Sequence, residues 1–501
     1  MKRRINVGRF LFVCGLVWQL TSWANDGKRP NIIYILADDL GVEEIGDYGQ
    51  KQIRTPSIDR LAHEGIRLTQ YYAGCAVCAP SRCTFLTGLH TGHAFIRDNC
   101  EMPNQQVNGQ VRFGGQMPLP AETRTLPALL KQAGYATGCI GKWGLGSMDS
   151  SGSPLRQGFD FFYGYNCQRH AHNYYPQYLY RNDAVEPLDN PAIMVGEKLA
   201  PTCDPLDPAS YAAYRGKIYA PDLMENEALA FIRQKKDKPF FLFFSTTLPH
   251  LGLQAPADMV EACRSRFPDE KPYLGGKGYV PCRYPLATYA AMVEHLDRSV
   301  GRMMALLDEL GLAENTVICF SSDNGASFTV GGKNATDFAA MGARRGNKGD
   351  LYEGGLAAPC VVRWPGHIQP GTVSSHLSAM WDLFPTFCDV AGVTIPDGLD
   401  GRSFVATLTG QAKQAQHDAL YWETARNKQA LRKGDWKVIL FHPSEKVELY
   451  NLADDPGETK NVAASEPERC ASLVAALRAQ HRDSAEFPWR AKKITGKIVH
   501  E

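Results

Sequence analysis

Three short stretches place groups able to bind ions where the chain turns. The first is Cys78-Ala79-Pro80-Ser81-Arg82, where a turn opens a helix. A helix start offers free N–H groups that favour an anion. Arg82, one turn on, adds a fixed positive charge with two-pronged donor geometry. Taken alone, the stretch reads equally as a buried structural cysteine beside a turn proline, because free cysteines are among the most buried residues. The second stretch is Asp38-Asp39, which ends the apolar run 31–37. Adjacent acids at the end of a buried strand are costly unless they bind something, and a divalent cation removes their repulsion. Solvated acids in a strand-ending turn are the plain alternative. The third is Asp323-Asn324-Gly325, which ends the run 316–322. Asp38, Asp39, Asp323 and Asn324 make an all-oxygen set. That donor chemistry suits a hard cation, Ca²⁺ or Mg²⁺, better than zinc.

Further candidates also follow strand-like runs. Lys142 follows Tyr135–Gly141, and His250 follows Phe240–Ser245 in Thr-Thr-Leu-Pro-His. Lys348 lies in the glycine-rich loop Gly346–Gly355. A lysine at a strand end or a Pro-His pair is weak as a single observation; the repetition gives the set its weight. The segment Gly158–Pro176 is dense in aromatics and carries His170 and His172, which would share a face if the segment is β-like. Aromatics with interleaved polar groups suit a sugar site, and an aromatic turn packed on the core is the alternative. His90 and His93 read as ordinary loop histidines.

The elements that must hold these groups alternate. Apolar β-branched runs ending at ligand-like residues are the pattern of buried parallel strands. In open α/β sheets, ligands sit at the C-terminal ends of such strands. Between them come amphipathic helices that begin at 55, 125, 222 and 288, several closed by glycine. The spacing predicts an α/β fold, a large mixed and mostly parallel sheet flanked by helices. From Gly401 the pattern changes to short strands with turns, which predicts a small C-terminal antiparallel sheet with a final helix at 467–482. The expected organisation is a signal peptide at 1–24, a catalytic domain at 25–400 and a C-terminal α+β subdomain at 401–501.

A net charge of +1 over 501 residues points to neither nucleic acid nor an anionic membrane as partner. Met1-Lys-Arg-Arg followed by an apolar run and Ser22-Trp23-Ala24 reads as a secretory signal. No later run is long and apolar enough to span a membrane. The expectation is an exported protein, periplasmic or secreted. An oxidising compartment permits disulfides. Of the fourteen cysteines, Cys75, Cys83 and Cys100 are loop candidates for pairing, and Cys139, Cys319 and Cys360 read as buried thiols.

Cys-x-Pro-Ser-Arg followed by Leu86-Thr87-Gly88 resembles the formylglycine-dependent sulfatases, in particular the arylsulfatase and N-acetylgalactosamine-6-sulfatase branch. Lys142-Trp143, Pro249-His250, the Lys348-Gly349…Glu353-Gly-Gly loop and the C-terminal block extend the likeness over nearly all of the mature chain. The resemblance implies the alkaline-phosphatase-like fold and release of inorganic sulfate from a sulfated carbohydrate, with galactose or N-acetylgalactosamine suggested. It implies that Cys78 is oxidised to formylglycine, whose hydrate is the nucleophile, so a maturation enzyme is an expected partner. It carries over Asp38, Asp39, Asp323, Asn324 and the modified residue 78 as ligands of calcium, with magnesium less favoured. It also implies catalytic roles for Arg82, Lys142, His250 and Lys348, and substrate contacts in the region of His170 and His172. One position departs from the pattern. Gly144 stands where the family commonly has histidine, a group expected to help break down the sulfated intermediate. His170 or His172 is the expected replacement. Two other readings keep the fold: a phosphomonoesterase or phosphodiesterase, and a non-catalytic protein that binds sulfated glycans.

Overall fold

The computed structural model describes residues 28–107, 110–425, 427–488 and 497–498; the expected signal segment lies outside them. Among the described residues no helix is long and apolar enough to cross a membrane. The strand β1 (Asn31–Ala37) is buried along its whole length. Its side chains alternate between two cores, Ile33 and Ile35 facing one and Ile32, Tyr34 and Leu36 the other, as the two-residue period of a strand requires.

Around β1 lies a ten-stranded sheet. Its other strands are β2 (Ile66–Leu68), β3 (Ala136–Lys142), β4 (Phe161–Tyr165), β5 (Tyr178–Arg181), β6 (Ala184–Pro187), β7 (Phe240–Ser245), β8 (Thr316–Ser322), β9 (Cys360–Arg363) and β10 (Thr372–Ser374). The spatial order is β6-β5-β4-β3-β7-β1-β8-β9-β2-β10. The middle of the sheet, β4-β3-β7-β1-β8, is parallel throughout. Strands β9 and β5 run antiparallel to their neighbours on either side. The four strands that lead to candidate groups, β3, β7, β1 and β8, are consecutive neighbours. Their C-terminal ends therefore lie side by side.

Helices cover both faces. On one, α1 (Pro56–His63), α4 (Ala220–Lys235), α5 (Ala257–Arg264) and the 25-residue α6 (Pro285–Glu309) pack around Ile33 and Ile35. On the other, α2 (Cys78–Thr87), α3 (Leu126–Gln132) and α8 (Leu383–Ala391) pack around Tyr34, Phe85 and Phe387. A short helix α7 (Glu353–Leu356) follows the glycine-rich loop, and α9 (Val405–Thr409) follows α8.

The C-terminal part forms a four-stranded antiparallel sheet, β11 (Leu420–Thr424), β12 (Lys428–Lys433), β13 (Trp436–Phe441) and β14 (Lys446–Asn451), in that order. One face packs on α10 (Pro467–Ala479) through Leu431, Val438, Leu473 and Leu477. The other packs on the main body through Trp422, Ala430 and Ile439 against Tyr72, Leu356 and Trp381.

Ile66–Leu68 and Tyr71–Tyr72 are two short strands in different sheets, because Tyr71–Tyr72 pairs with Ser378–Ala379. Two local expectations are corrected. His170–His172 is a turn of 3₁₀ helix and not a strand. Cys83 and Cys100, expected as loop candidates for disulfides, are buried free thiols. Cys83 sits on α2, where Phe85 and Leu86 pack beside it in the same apolar core.

Candidate active site

Cys78 is the first residue of α2, and Val77 before it is extended. All ten residues of this helix are buried. The Asn99 side chain accepts the Ala79 N–H at 3.0 Å and fixes the start of the helix. The Cys78 sulfur lies 3.6 Å from Asp38 Oδ1. Asp38, Asp39, Cys78 and His250 each bring one donor atom within 4.8 Å of the others.

Buried cations are interleaved with buried acids here. Lys142 Nζ is 2.7 Å from Asp38 Oδ2. Arg82 donates to Asp323 Oδ2 through Nε at 3.2 Å and Nη2 at 2.9 Å, and Nη2 is 3.7 Å from Asp38. Its Nη1 donates to the Lys142 carbonyl at 2.6 Å and also to Ser245 Oγ. Lys348 Nζ reaches Asp39 Oδ2 at 3.1 Å and His250 Nε2 at 3.0 Å. Three fixed positive charges thus face three carboxylates, and all six groups are nearly sealed from solvent. Isolated charges could not be buried so deeply, but paired ones can.

Backbone geometry aims these groups. Asp39 has φ 65°, a left-handed conformation that acidic residues tolerate better than most. Its N–H is thereby directed at Asp323 Oδ1, 3.2 Å away. Asn324 Nδ2 donates to Asp39 Oδ1 at 2.8 Å. Asn324 Oδ1 is buried with no hydrogen-bond partner among the described residues. The His250 ring hydrogen-bonds through Nδ1 to the Leu251 carbonyl, so Nδ1 carries the proton and Nε2 is left facing Lys348.

The charges set the protonation of the cluster. Burial pushes the Asp38 carboxyl up, but Lys142, His250, Arg82 and Lys348 together outweigh it and hold the group well below the usual carboxylate range. Burial and the neighbouring Asp38 charge push Asp323 up to about 6, against the pull of Arg82 and Lys142. Burial works to lower the Lys142 ammonium, yet the Asp38 carboxylate overrides it and raises the group above its ordinary range. Burial drives the Cys78 thiol upward despite Lys142 and Lys348. An unmodified Cys78 is therefore a protonated thiol and a poor nucleophile.

The two histidines of the aromatic segment part company. His172 stacks on His250 with ring centroids 4.8 Å apart, and on Tyr279 at 5.3 Å. His170 instead packs among Phe113, Tyr165 and Tyr178 at 5.1, 5.0 and 4.4 Å. Residues two apart on a 3₁₀ turn point in different directions, so the expected shared face does not form. Gly144 has φ 79°, and a Cβ there would lie 3.0 Å from Gln168 Nε2. Gln168 occupies the space beside Gly144, and its Nε2 is buried without a partner among the described residues. Sequence reasoning missed Gln168, Asn99 and Ser245. Gln168 lies within the Gly158–Pro176 segment and Ser245 ends the Phe240–Ser245 run, but nothing in their spacing, or in that of Asn99, distinguishes them from other polar residues near a turn.

The Sulfatase family matches residues 30–393. The chain belongs to the sulfatase family. A second family, described as the C-terminal part of N-sulphoglucosamine sulphohydrolase, matches residues 346–486 of this sulfatase. Steryl-sulfatase of Mus musculus is 32% identical over 473 residues, covering 83% of this chain and 72% of that protein. N-acetylgalactosamine-6-sulfatase of Homo sapiens is 29% identical over 500 residues, covering 91% and 86%. A crystal structure solved in complex with a neocarrahexaose superposes with a TM-score of 0.71 at 25% identity, covering 92% and 95%. The protein is accordingly a sulfuric ester hydrolase. The family implies formylglycine and a divalent metal. The residues present fit such a cation: Asp38 and Asp39 oxygens meet the Cys78 sulfur and a His250 nitrogen within 4.8 Å, and Asn324, whose amide touches Asp39, has a buried oxygen with no partner among the described residues.

Proposed function

We propose that this sulfatase releases inorganic sulfate from a sulfated carbohydrate, with Cys78 matured to formylglycine and calcium held by Asp38, Asp39, Asp323, Asn324 and residue 78. Sulfated galactose or N-acetylgalactosamine is the favoured sugar. The supporting observation is the meeting of four adjacent strand ends and the first residue of α2 at one buried cluster. A relative named for N-acetylgalactosamine and a solved structure holding a neocarrahexaose support a sugar as the bound alcohol.

The aldehyde hydrate supplies the attacking hydroxyl and a second hydroxyl through which sulfate is expelled, a route closed to a plain cysteine. The cation supplies Lewis acidity toward the attacking oxygen. The residues of the chain do the rest. Asp323, at the end of β8 and hydrogen-bonded to Arg82, is placed to accept the proton of the attacking hydroxyl. Arg82, Lys142 and Lys348 neutralise charge on the sulfuryl oxygens from positions set before the substrate arrives. Lys348 and His250 share a 3.0 Å contact and deliver a proton to the leaving alcohol. His172, stacked on His250, holds that ring and faces the substrate; we assign His170 a packing role. Maturation of Cys78 requires a formylglycine-generating enzyme in the producing cell, and export to the periplasm or medium is proposed with it.

The test is sulfate release by the matured protein from galactose and N-acetylgalactosamine monosulfates and their oligosaccharides, with a steryl sulfate and phosphate monoesters as comparators. Release from a sugar sulfate well above the comparators is expected. Turnover of the steryl sulfate or the phosphate esters alone would overturn the carbohydrate reading.

A further inference from the structure

A cavity of about 340 Å³ adjoins the catalytic cluster, and its lining includes Val77, Phe328, Asn347, Lys348, Asp350 and Lys428. Two of its lining residues tie it to the cluster: Val77 precedes Cys78, and Lys348 contacts Asp39. Its volume is at the small end of the range for ligand pockets, about 300–1,000 Å³. The lining combines one aromatic ring with hydrogen-bonding groups of both polarities. Phe328 is half-buried, with Lys348 Nζ 5.7 Å from its ring centroid. Asn347 both donates and accepts. Lys428 comes from a different part of the fold. It is the first residue of β12 in the C-terminal sheet, and its ammonium stands 3.4 Å from Asp350 Oδ1. It lies 5.9 Å from the Phe441 ring centroid. An ammonium has three N–H donors, and one long contact to Asp350 leaves capacity for another anion.

We propose that this cavity is a subsite for the sugar ring next to the sulfate-bearing one. Phe328 lies against that ring, and Lys428 binds an anionic substituent on it, a carboxylate or a second sulfate. This rests on the sulfated-carbohydrate reading and deepens it: the preferred substrate is an oligosaccharide with a second negative charge beside the scissile ester. It also gives the C-terminal sheet a part in substrate choice.

The experiment compares Lys428→Gln and Lys428→Arg with the parent matured protein. The substrates are sulfated N-acetylgalactosamine disaccharides whose second ring carries a free carboxylate, the same carboxylate as its methyl ester, or a sulfate. We expect Lys428→Gln to erase the KM advantage of a charged disaccharide over the methyl ester, a change of roughly tenfold for one charge-assisted contact. Lys428→Arg retains most of that advantage. Whichever charged compound loses its advantage identifies the anion. Equal KM changes on charged and neutral disaccharides, or no change on any, would overturn the subsite. Turnover of 4-methylumbelliferyl sulfate, which lacks a second ring, reports separately on the chemistry. If the parent turns over that ester but no disaccharide, the carbohydrate reading fails and the subsite with it.

Discussion

Lys437 Nζ lies 2.9 Å from Glu353 Oε1, and both side chains are buried. Lys437 belongs to β13 of the small sheet, and Glu353 starts α7 just after the loop that bears Lys348. The same ammonium is 3.0 Å from Glu458, while Glu458 accepts the Glu353 N–H at 2.6 Å. Tyr72 OH donates to the other Glu353 oxygen at 2.5 Å. The small sheet thus grips the catalytic loop by charge as well as by apolar packing. Lys437→Met leaves two buried carboxylates without their shared cation and is expected to cost about 3–5 kcal/mol. Urea unfolding at neutral pH measures it, and a loss under about 1 kcal/mol would contradict the role of the pair.

In the proposed calcium set Asn324 contributes Oδ1, which has no hydrogen-bond partner among the described residues. Asn324→Ala removes that oxygen and the hydrogen bond to Asp39. Calcium affinity is expected to fall on the order of 10–100-fold. The calcium dependence of the thermal midpoint reads this out, since a ligand that binds only the folded state stabilises it. An unchanged calcium response would remove Asn324 from the set.

Gly144 cannot simply be restored to the family histidine. Its φ of 79° costs a residue with a side chain about 1–2 kcal/mol, and Gln168 fills the adjoining space. Gly144→His is expected to destabilise the protein and to lower kcat. Adding Gln168→Ala recovers part of the stability by clearing the contact. A stable, faster Gly144→His single variant would show that Gln168 does not occupy the place of the missing side chain.

His170 makes acid stability testable away from the cluster. Burial among three aromatic rings lowers its pKa to about 3, against about 6.5 when unfolded. Between these values the unfolded chain binds the extra proton, so stability falls as pH drops from about 6.5 toward 3. His170→Phe removes this titrating group. Its unfolding free energy should decline less steeply over that window than the parent's. Parallel pH profiles would contradict the burial argument.

Much of the site was legible because chemistry and strand ends coincide in the sequence. Phe240–Ser245 and Thr316–Ser322 form strands with the bounds read from their apolar runs, and Asp38, Asp39, Asp323 and Asn324 fall at adjacent ends. The helix read as beginning at 288 spans Pro285–Glu309. Contacts between distant segments were not legible. Lys428 beside Asp350 and Lys437 on Glu353 depend on how the small sheet docks, and no local period encodes that. The histidines misled for a local reason: residues two apart share a face only on a strand, and this segment folds as a 3₁₀ turn, with His170 among Phe113, Tyr165 and Tyr178.

The central claim is that residue 78 acts only after conversion to the aldehyde. Sulfate release should be measured on preparations made with and without a maturation enzyme, with formylglycine at position 78 quantified in each by peptide mass spectrometry. Activity is expected to rise in proportion to the aldehyde fraction and to vanish in its absence, because the buried Cys78 thiol is held protonated. Equal activity from protein carrying unmodified Cys78 would contradict the claim.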